Sequence, residues 1–321
     1  MSTRVPQPAG PVSGTEVPRF AGASTFARLP QIDAVGDYDI AILGVPFDSG
    51  TSYRPGARFG PLEIRTSSRH LRPAFHVELD AAPFKQVQVV DAGDVACTPF
   101  SIDDAMGQIE TAAHEVKGGD GDRRVIAVGG DHTIALPMLR SVVRQHGPVA
   151  LVHFDAHLDT WDTYFNAPTT HGTVFRRAHE EGLFAEDVSM HVGIRGPIYD
   201  RIDLKEDADF GFKCLRTSDL DRIGVEAAVA QVKARVKDAP VYLSIDIDVL
   251  DPAYAPGTGT PEAGGLTSRE LLTMLRSLDG LNIVGADVVE VAPVYDHAEI
   301  TTVAAATLVY DLVTLMAKQT P

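Results

Sequence analysis

Three short stretches collect acidic and histidine residues able to hold divalent cations: Gly129-Gly130-Asp131-His132, Asp155-Ala156-His157-Leu158-Asp159 and Ser244-Ile245-Asp246-Ile247-Asp248. Each follows or closes a short apolar run. In extended backbone, residues two apart point to the same side. Asp155, His157 and Asp159 can therefore converge, as can Asp246 and Asp248. Mixed carboxylate and imidazole donors suit a pair of hard-to-borderline divalent ions. A carboxylate shared by two ions can hold them about 3.5–4 Å apart, and such a pair generates hydroxide at neutral pH. The chemistry indicated is that of a metallohydrolase. A single aspartate at a strand end is more simply a helix cap or a solvated turn. Several on buried apolar strands would be very unfavourable without cations.

Eight apolar runs precede or flank these residues, at 38–44, 87–90, 125–128, 149–154, 190–194, 212–215, 241–247 and 283–289. Most are too short for helices and rich in β-branched residues. Residues 102–116, 133–146, 225–236, 268–278 and 300–317 carry a 3.6-residue apolar period instead. The alternation predicts an α/β fold: three layers, α/β/α, around a central, mostly parallel sheet of about eight strands. Ligands of such sheets bind beyond the carboxyl ends of the strands. His132, Asp155, Asp246 and Glu290 all fall there. Residues 1–30, rich in Pro, Gly, Ser and Thr at their start, are expected to form a mobile or draping arm, and residues 31–321 one catalytic domain with no linker.

The chain of 321 residues has a net charge of −16. That argues against nucleic acid as a partner and suits a small cationic substrate or metal, although an acidic surface also serves solubility. No apolar run approaches the roughly 18 residues needed to span a bilayer, so no membrane association is expected. With no charged-then-apolar leader pattern at the start, a cytoplasmic location is the expectation. The two cysteines, Cys97 and Cys214, show no metal-ligand spacing and read as small buried apolar residues in a reducing compartment.

The Gly-Gly-Asp-His, Asp-Ala-His-x-Asp and Ser-x-Asp-x-Asp-x-x-Asp-Pro motifs resemble those of the ureohydrolases, which include arginase, agmatinase, guanidinobutyrase and proclavaminate amidinohydrolase. The resemblance extends from about residue 38 through Gly44-Val45-Pro46-Phe47-Asp48, the 52–61 stretch, Asp91-Ala92-Gly93-Asp94 and Pro256-Gly257-Thr258-Gly259-Thr260-Pro261. It implies an arginase-like fold and two manganese ions per subunit, with nickel, cobalt or zinc not excluded by spacing. One ion would take His132, Asp155, Asp159 and Asp246; the other would take Asp155, His157, Asp246 and Asp248. Asp155 and Asp246 would bridge, with a hydroxide between the ions. It further implies a homo-trimer or homo-hexamer.

By the same resemblance Glu290 pairs with the substrate guanidinium, Asp159 relays a proton to the leaving amine, and His171 exchanges protons with solvent. Urea and a primary amine would result. Asp131 reads as an outer-shell or structural residue, and His153 as a satisfied core histidine. Arg54 and Arg58 are expected to fix loops. The Asn- and Ser/Thr-rich segment with which arginases bind an amino-acid head is absent from residues 160–170, which disfavours arginine. Trp161, Tyr164 and Phe165 are expected on an aliphatic or cation-accepting channel, with residues 193–200 as a second wall. Asp162 or Asp200 would pair with a terminal ammonium. Agmatine, giving putrescine and urea, is the expected substrate. The alternatives are a guanidino acid such as 4-guanidinobutyrate, a proclavaminate-like or other guanidino substrate, and, remotely, a non-catalytic metal-binding subunit. The intact set of site residues argues against the last.

Overall fold

Runs such as Ile-Ala-Ile-Leu-Gly-Val at 40–45 and Ile-Val-Gly-Ala-Asp-Val-Val at 283–289 are apolar without strict alternation, the pattern of strands covered on both faces. In the computed structural model, which describes residues 8–119 and 121–319, they form strands β1 (Ile40–Val45), β2 (Val89–Asp94), β3 (Arg124–Gly129), β4 (Ala150–Phe154), β5 (Met190–Ile194), β6 (Lys213–Arg216), β7 (Val241–Asp246) and β8 (Ile283–Val289). These make one eight-stranded sheet in the order β2-β1-β3-β8-β7-β4-β5-β6. Every pairing is parallel. The four strands β3, β8, β7 and β4, which precede the acidic motifs and Glu290, are therefore consecutive in space although far apart in sequence.

The helices are α1 (Gly60–Ser68), α2 (Pro83–Gln86), α3 (Ile102–Val116), α4 (Ala135–His146), α5 (Val174–Glu180), α6 (Arg201–Asp209), α7 (Thr217–Val236), α8 (Ser268–Arg276) and α9 (Ile300–Ala317). Helices α3, α4 and α5 share one hydrophobic cluster with the sheet, and α7, α8 and α9 another, so both faces are covered. Local chemistry starts several of them. The Ser101 hydroxyl accepts from the Asp104 amide at the head of α3, and Thr267 and Glu270 form a capping box on α8. Periodicity finds α7 only from Val225, because the helix is interrupted at Gly224 (φ 81°) and resumes there. It misses α6 because that helix buries only Asp207 and has no apolar stripe.

Three expectations need correction. The arm boundary at residue 30 falls inside packed structure: Phe26 and Leu29 belong to the main core, and the Phe26 amide donates to Asp91 Oδ2 at 2.6 Å. Before them, residues 8–24 drape over the body, where Arg28 donates to the Val12 and Val17 carbonyls. Residues 1–7 of the expected arm lie outside the described residues. Helix α9 is long and apolar enough, by length and composition, to cross a membrane; 78% of it is buried against the rest of the molecule, as a core helix. Cys97 and Cys214 are free and half-buried rather than fully buried.

The charged residue of α9 is Asp311, fully buried, which meets His76 Nε2 at 2.6 Å and receives Arg276 Nε of α8 at 2.7 Å. Removing one partner of a buried ion pair leaves an uncompensated charge. Asp311→Ala is expected to lower stability by about 3–5 kcal/mol, read as a shift in the denaturant midpoint.

Candidate metal centre

The acidic motifs meet at one rim because their strands are neighbours in parallel register. Phe154 lies opposite Ile245, Asp246 opposite Val289, and Val128 opposite Val288. The first residues beyond β3, β4 and β8 and the last of β7 are thereby brought to one level. The turn after β3 needs its glycine. A Cβ on Gly130 would lie 2.0 Å from the Phe47 carbonyl oxygen, because the Asp131 amide donates to that oxygen at 2.7 Å and draws the 46–50 loop flush.

His132 Nδ1 lies 3.2 Å from Asp155 Oδ2, 3.0 Å from Asp159 Oδ2 and 3.4 Å from Asp246 Oδ2. It is buried and has no hydrogen-bond partner. His157 Nδ1 lies 3.3 Å from Asp155 Oδ1 and 3.1 Å from Asp248 Oδ2. Two ligand sets result, with Asp155 common to both. All six predicted ligands are thus brought together. Burial, then the charges of Asp248 and Asp155, raise Asp246 well above the usual carboxylate range. Burial, then Asp155, raises Asp248 to about 6. Such crowding of carboxylates around an unpartnered imidazole nitrogen fits divalent cations.

The groups behind the ligands set their orientation. His132 Nε2 meets Ser244 Oγ at 2.7 Å, and Ser244 donates in turn to Asp287 Oδ1 at 2.7 Å. This leaves Nδ1 as the bare nitrogen facing the carboxylates, the arrangement expected of a metal-binding histidine. His153 also lies within ligand distance of His132, Asp155 and Asp159, but its Nε2 is engaged with Asp155 Oδ2 at 2.8 Å. Asp131 is buried; it accepts from Thr133 N at 3.0 Å and Gly50 N at 2.8 Å, and so holds the 48–52 loop.

Glu290 stands beside this cluster in left-handed backbone (φ 63°), as does Asp159 (φ 55°). Both are non-glycine residues held in a costly conformation at a site. Glu290 Oε1 accepts from the His132 amide at 2.9 Å and meets His171 Nδ1 at 2.9 Å. Its Oε2 is buried without a partner. Burial depresses His171, but the Glu290 charge and hydrogen bond outweigh it and push the imidazole up to about 9. His171 Nε2 faces the Ser52 amide at 3.0 Å and the Ser52 hydroxyl at 2.7 Å.

A cavity of about 800 Å³ opens above the cluster, with Asp159, His171 and Asp246 among its lining residues. Trp161, Tyr164, Phe165 and Tyr199 make an aromatic wall there. The Tyr164 and Tyr199 hydroxyls touch each other, and the Trp161 indole donates to Asp203 Oδ2 at 3.2 Å. The tail expectation is corrected at two residues. Asp162 is not on the cavity wall and pairs with Arg177 at 2.9 Å. Asp200 is also off the wall and caps α6, accepting from the Ile202 amide at 2.9 Å. Arg54 lines the cavity but donates to the Thr258 and Gly259 carbonyls. Besides Asp159 and Asp246 of the cluster itself, Glu262 brings a carboxylate to the cavity wall, 3.6 Å from His157 Nε2. Sequence reasoning missed it, although it directly follows the Pro256–Pro261 motif.

The arginase family model matches residues 38–314. An agmatinase of Escherichia coli O7:K1 is 44% identical, covering 92% of this chain and 94% of its own. A guanidinopropionase of Pseudomonas aeruginosa is 42% identical, covering 99% and 98%. The solved structure of a proclavaminate amidinohydrolase of Streptomyces clavuligerus superposes with a TM-score of 0.89 at 39% identity, covering 94% of this chain and 99% of that one.

The shared position of Asp155 gives a direct prediction. Asp155→Ala is expected to retain at most one of two manganese equivalents, measured by elemental analysis after desalting. Ser244→Ala, which frees the far nitrogen of His132, is expected to weaken metal binding about 10- to 100-fold in a calorimetric titration.

Proposed function

The chain belongs to the arginase family, as a hydrolase of guanidino carbon–nitrogen bonds, and on that premise we propose agmatine as its substrate and putrescine and urea as its products. The observation that carries the reading is the unpartnered Glu290 Oε2 beside the His/Asp cluster. A buried carboxylate oxygen with no donor suits a guanidinium N–H, which makes planar, charge-assisted hydrogen bonds.

His132, Asp155, Asp159 and Asp246 would hold one divalent ion, and Asp155, His157, Asp246 and Asp248 the other. The mixed oxygen and imidazole donors favour manganese. Such a pair supplies a nucleophile at neutral pH by lowering the pKa of water. The chain's own residues do the rest. Glu290 orients the planar cation so that its carbon faces the cluster. Water adds its oxygen to that carbon, the bond to the alkyl-bearing nitrogen breaks, and that nitrogen must gain a proton as it leaves. Asp159, buried against the cluster, can pass the proton released by the water. His171, tied to Glu290 through Nδ1, exchanges protons through Nε2 beside Ser52 on the cavity wall.

The tail assignment draws support from the E. coli relative, from Glu262 as an anionic group on the cavity wall, and from Arg54, whose guanidinium is engaged with carbonyl groups. A guanidino acid is the second reading, favoured by the similarity to guanidinopropionase along nearly the whole chain.

Urea release by manganese-loaded protein, compared as kcat/KM across agmatine, 4-guanidinobutyrate, 3-guanidinopropionate and arginine, decides between them. Agmatine is expected to lead by at least about tenfold, some 1.4 kcal/mol of transition-state binding. A lead for either guanidino acid overturns the tail assignment and keeps the chemistry. Glu290→Gln is expected to keep its metal while kcat/KM falls on the order of 100-fold; unchanged turnover refutes the orienting role.

A further inference from the structure

A line of buried polar groups runs from Asp155 away from the cavity. His153 Nε2 donates to Asp155 Oδ2 at 2.8 Å. His153 Nδ1 and His191 Nδ1 lie 2.7 Å apart, one donating to the other. His191 Nε2 is 3.1 Å from Asp207 Oδ1, and the Thr160 hydroxyl donates to that same oxygen at 3.1 Å. The line leaves from Asp155 and returns at Thr160, one residue beyond Asp159. It closes a ring around the segment that carries three of the six proposed ligands.

Stability does not account for such a ring. His153 and His191 are fully buried and Asp207 is 2% exposed. Burying two imidazoles and a carboxylate costs desolvation that apolar side chains of similar volume avoid. Apolar neighbours are at hand: the His153 and Phe175 ring centroids are 4.5 Å apart, and those of His191 and Phe212 are 4.4 Å apart. What the ring does fix is geometry. It holds one carboxylate oxygen of Asp155. It also pins the residue after Asp159, whose φ of 55° persists only where the surroundings enforce it.

Asp207 is the one buried residue of α6. One turn earlier on the same helix, Asp203 accepts from the Trp161 indole at 3.2 Å and from the Tyr199 amide at 3.2 Å. Two aspartates four residues apart thus fasten α6 to the metal-bearing loop and to the aromatic wall of the cavity.

We propose that Asp207, acting through His191, His153 and Thr160, is a positioning residue for Asp155 and Asp159, so that α6 sets metal affinity from outside the ligand set. The inference rests on the two-metal reading. Outer partners of this kind are worth about 10- to 100-fold in metal affinity.

Manganese chloride titrated calorimetrically into metal-free parent, Asp207→Ala, Asp207→Asn and Thr160→Val proteins tests it, with thermal unfolding of the same metal-free samples alongside. Asp207→Ala is expected to bind at least one ion about 10- to 100-fold more weakly. Asp207→Asn, which keeps an acceptor oxygen for Thr160, is expected to recover most of that loss. Thr160→Val, nearly isosteric, is expected to weaken binding while the metal-free unfolding midpoint stays at the parental value, and it decides the matter should Asp207→Ala fail to fold. Parental affinity in the folded variants overturns the proposal, as does a lowered metal-free midpoint with unchanged affinity, the mark of a purely structural role. A parent that binds no pair of ions is a separate result, which sinks the two-metal reading and this inference with it.

Discussion

Mutual repulsion of carboxylates in a water-poor pocket is the constraint on which the rest of this structure depends. Asp155, Asp159, Asp246 and Asp248 are all buried, and Glu290 is buried beside them. Two like charges about 4 Å apart repel by about 4 kcal/mol at an effective dielectric of about 20. A flexible scaffold would relieve that repulsion by moving the groups apart. Here the groups hang from four adjacent strands whose side chains are buried on both faces. The sheet holds the charges in place, and the arrangement becomes favourable with cations between them. The acidic net charge of the whole chain adds a field of the sign that draws such cations in.

Orientation is decided one residue further out. His132 presents Nδ1 because Ser244 and Asp287 take its other nitrogen. Glu290 presents Oε2 because the His132 amide and His171 take Oε1. Asp248 presents Oδ2 to His157 while Oδ1 accepts from the Ala156 amide at 3.1 Å. In each case the neighbour removes one hydrogen-bonding option and leaves the other pointing at the reaction centre. The left-handed backbone at Asp159 and Glu290 belongs to the same economy, since strain there serves to aim a carboxylate.

The cavity above has a different character. Its aromatic wall is assembled from residues 161–165 and 197–199 and tied to α6, a short polar helix with little core of its own. Loops and peripheral helices tolerate change that strands cannot. A change in this wall can therefore alter the fit to a substrate tail and leave the rim chemistry in place.

The strands, their parallel pairing and the rim residues were legible from the sequence because each is encoded locally. A β-branched apolar run declares a doubly covered strand, and an aspartate at its end needs no partner to be noticed. Strands β5 and β8 and helices α3 and α9 begin and end where the pattern does. The sequence alone determined the fold class, the metal-type donors and the guanidino chemistry implied by the resemblance. Only the tertiary structure decided which groups share a hydrogen bond. Asp162 and Asp200 looked available for a substrate and are spent on Arg177 and on the α6 cap. Glu262 and Asp207 carried no periodic signal, and one reaches the cavity while the other reaches the metal loop. His153 read as a core histidine and lies in the ring behind Asp155. The physical reason is common to all of them. Apolar periodicity records how much of an element is buried, whereas a polar contact depends on two side chains far apart in sequence and on the strand order that brings them within 3 Å or so.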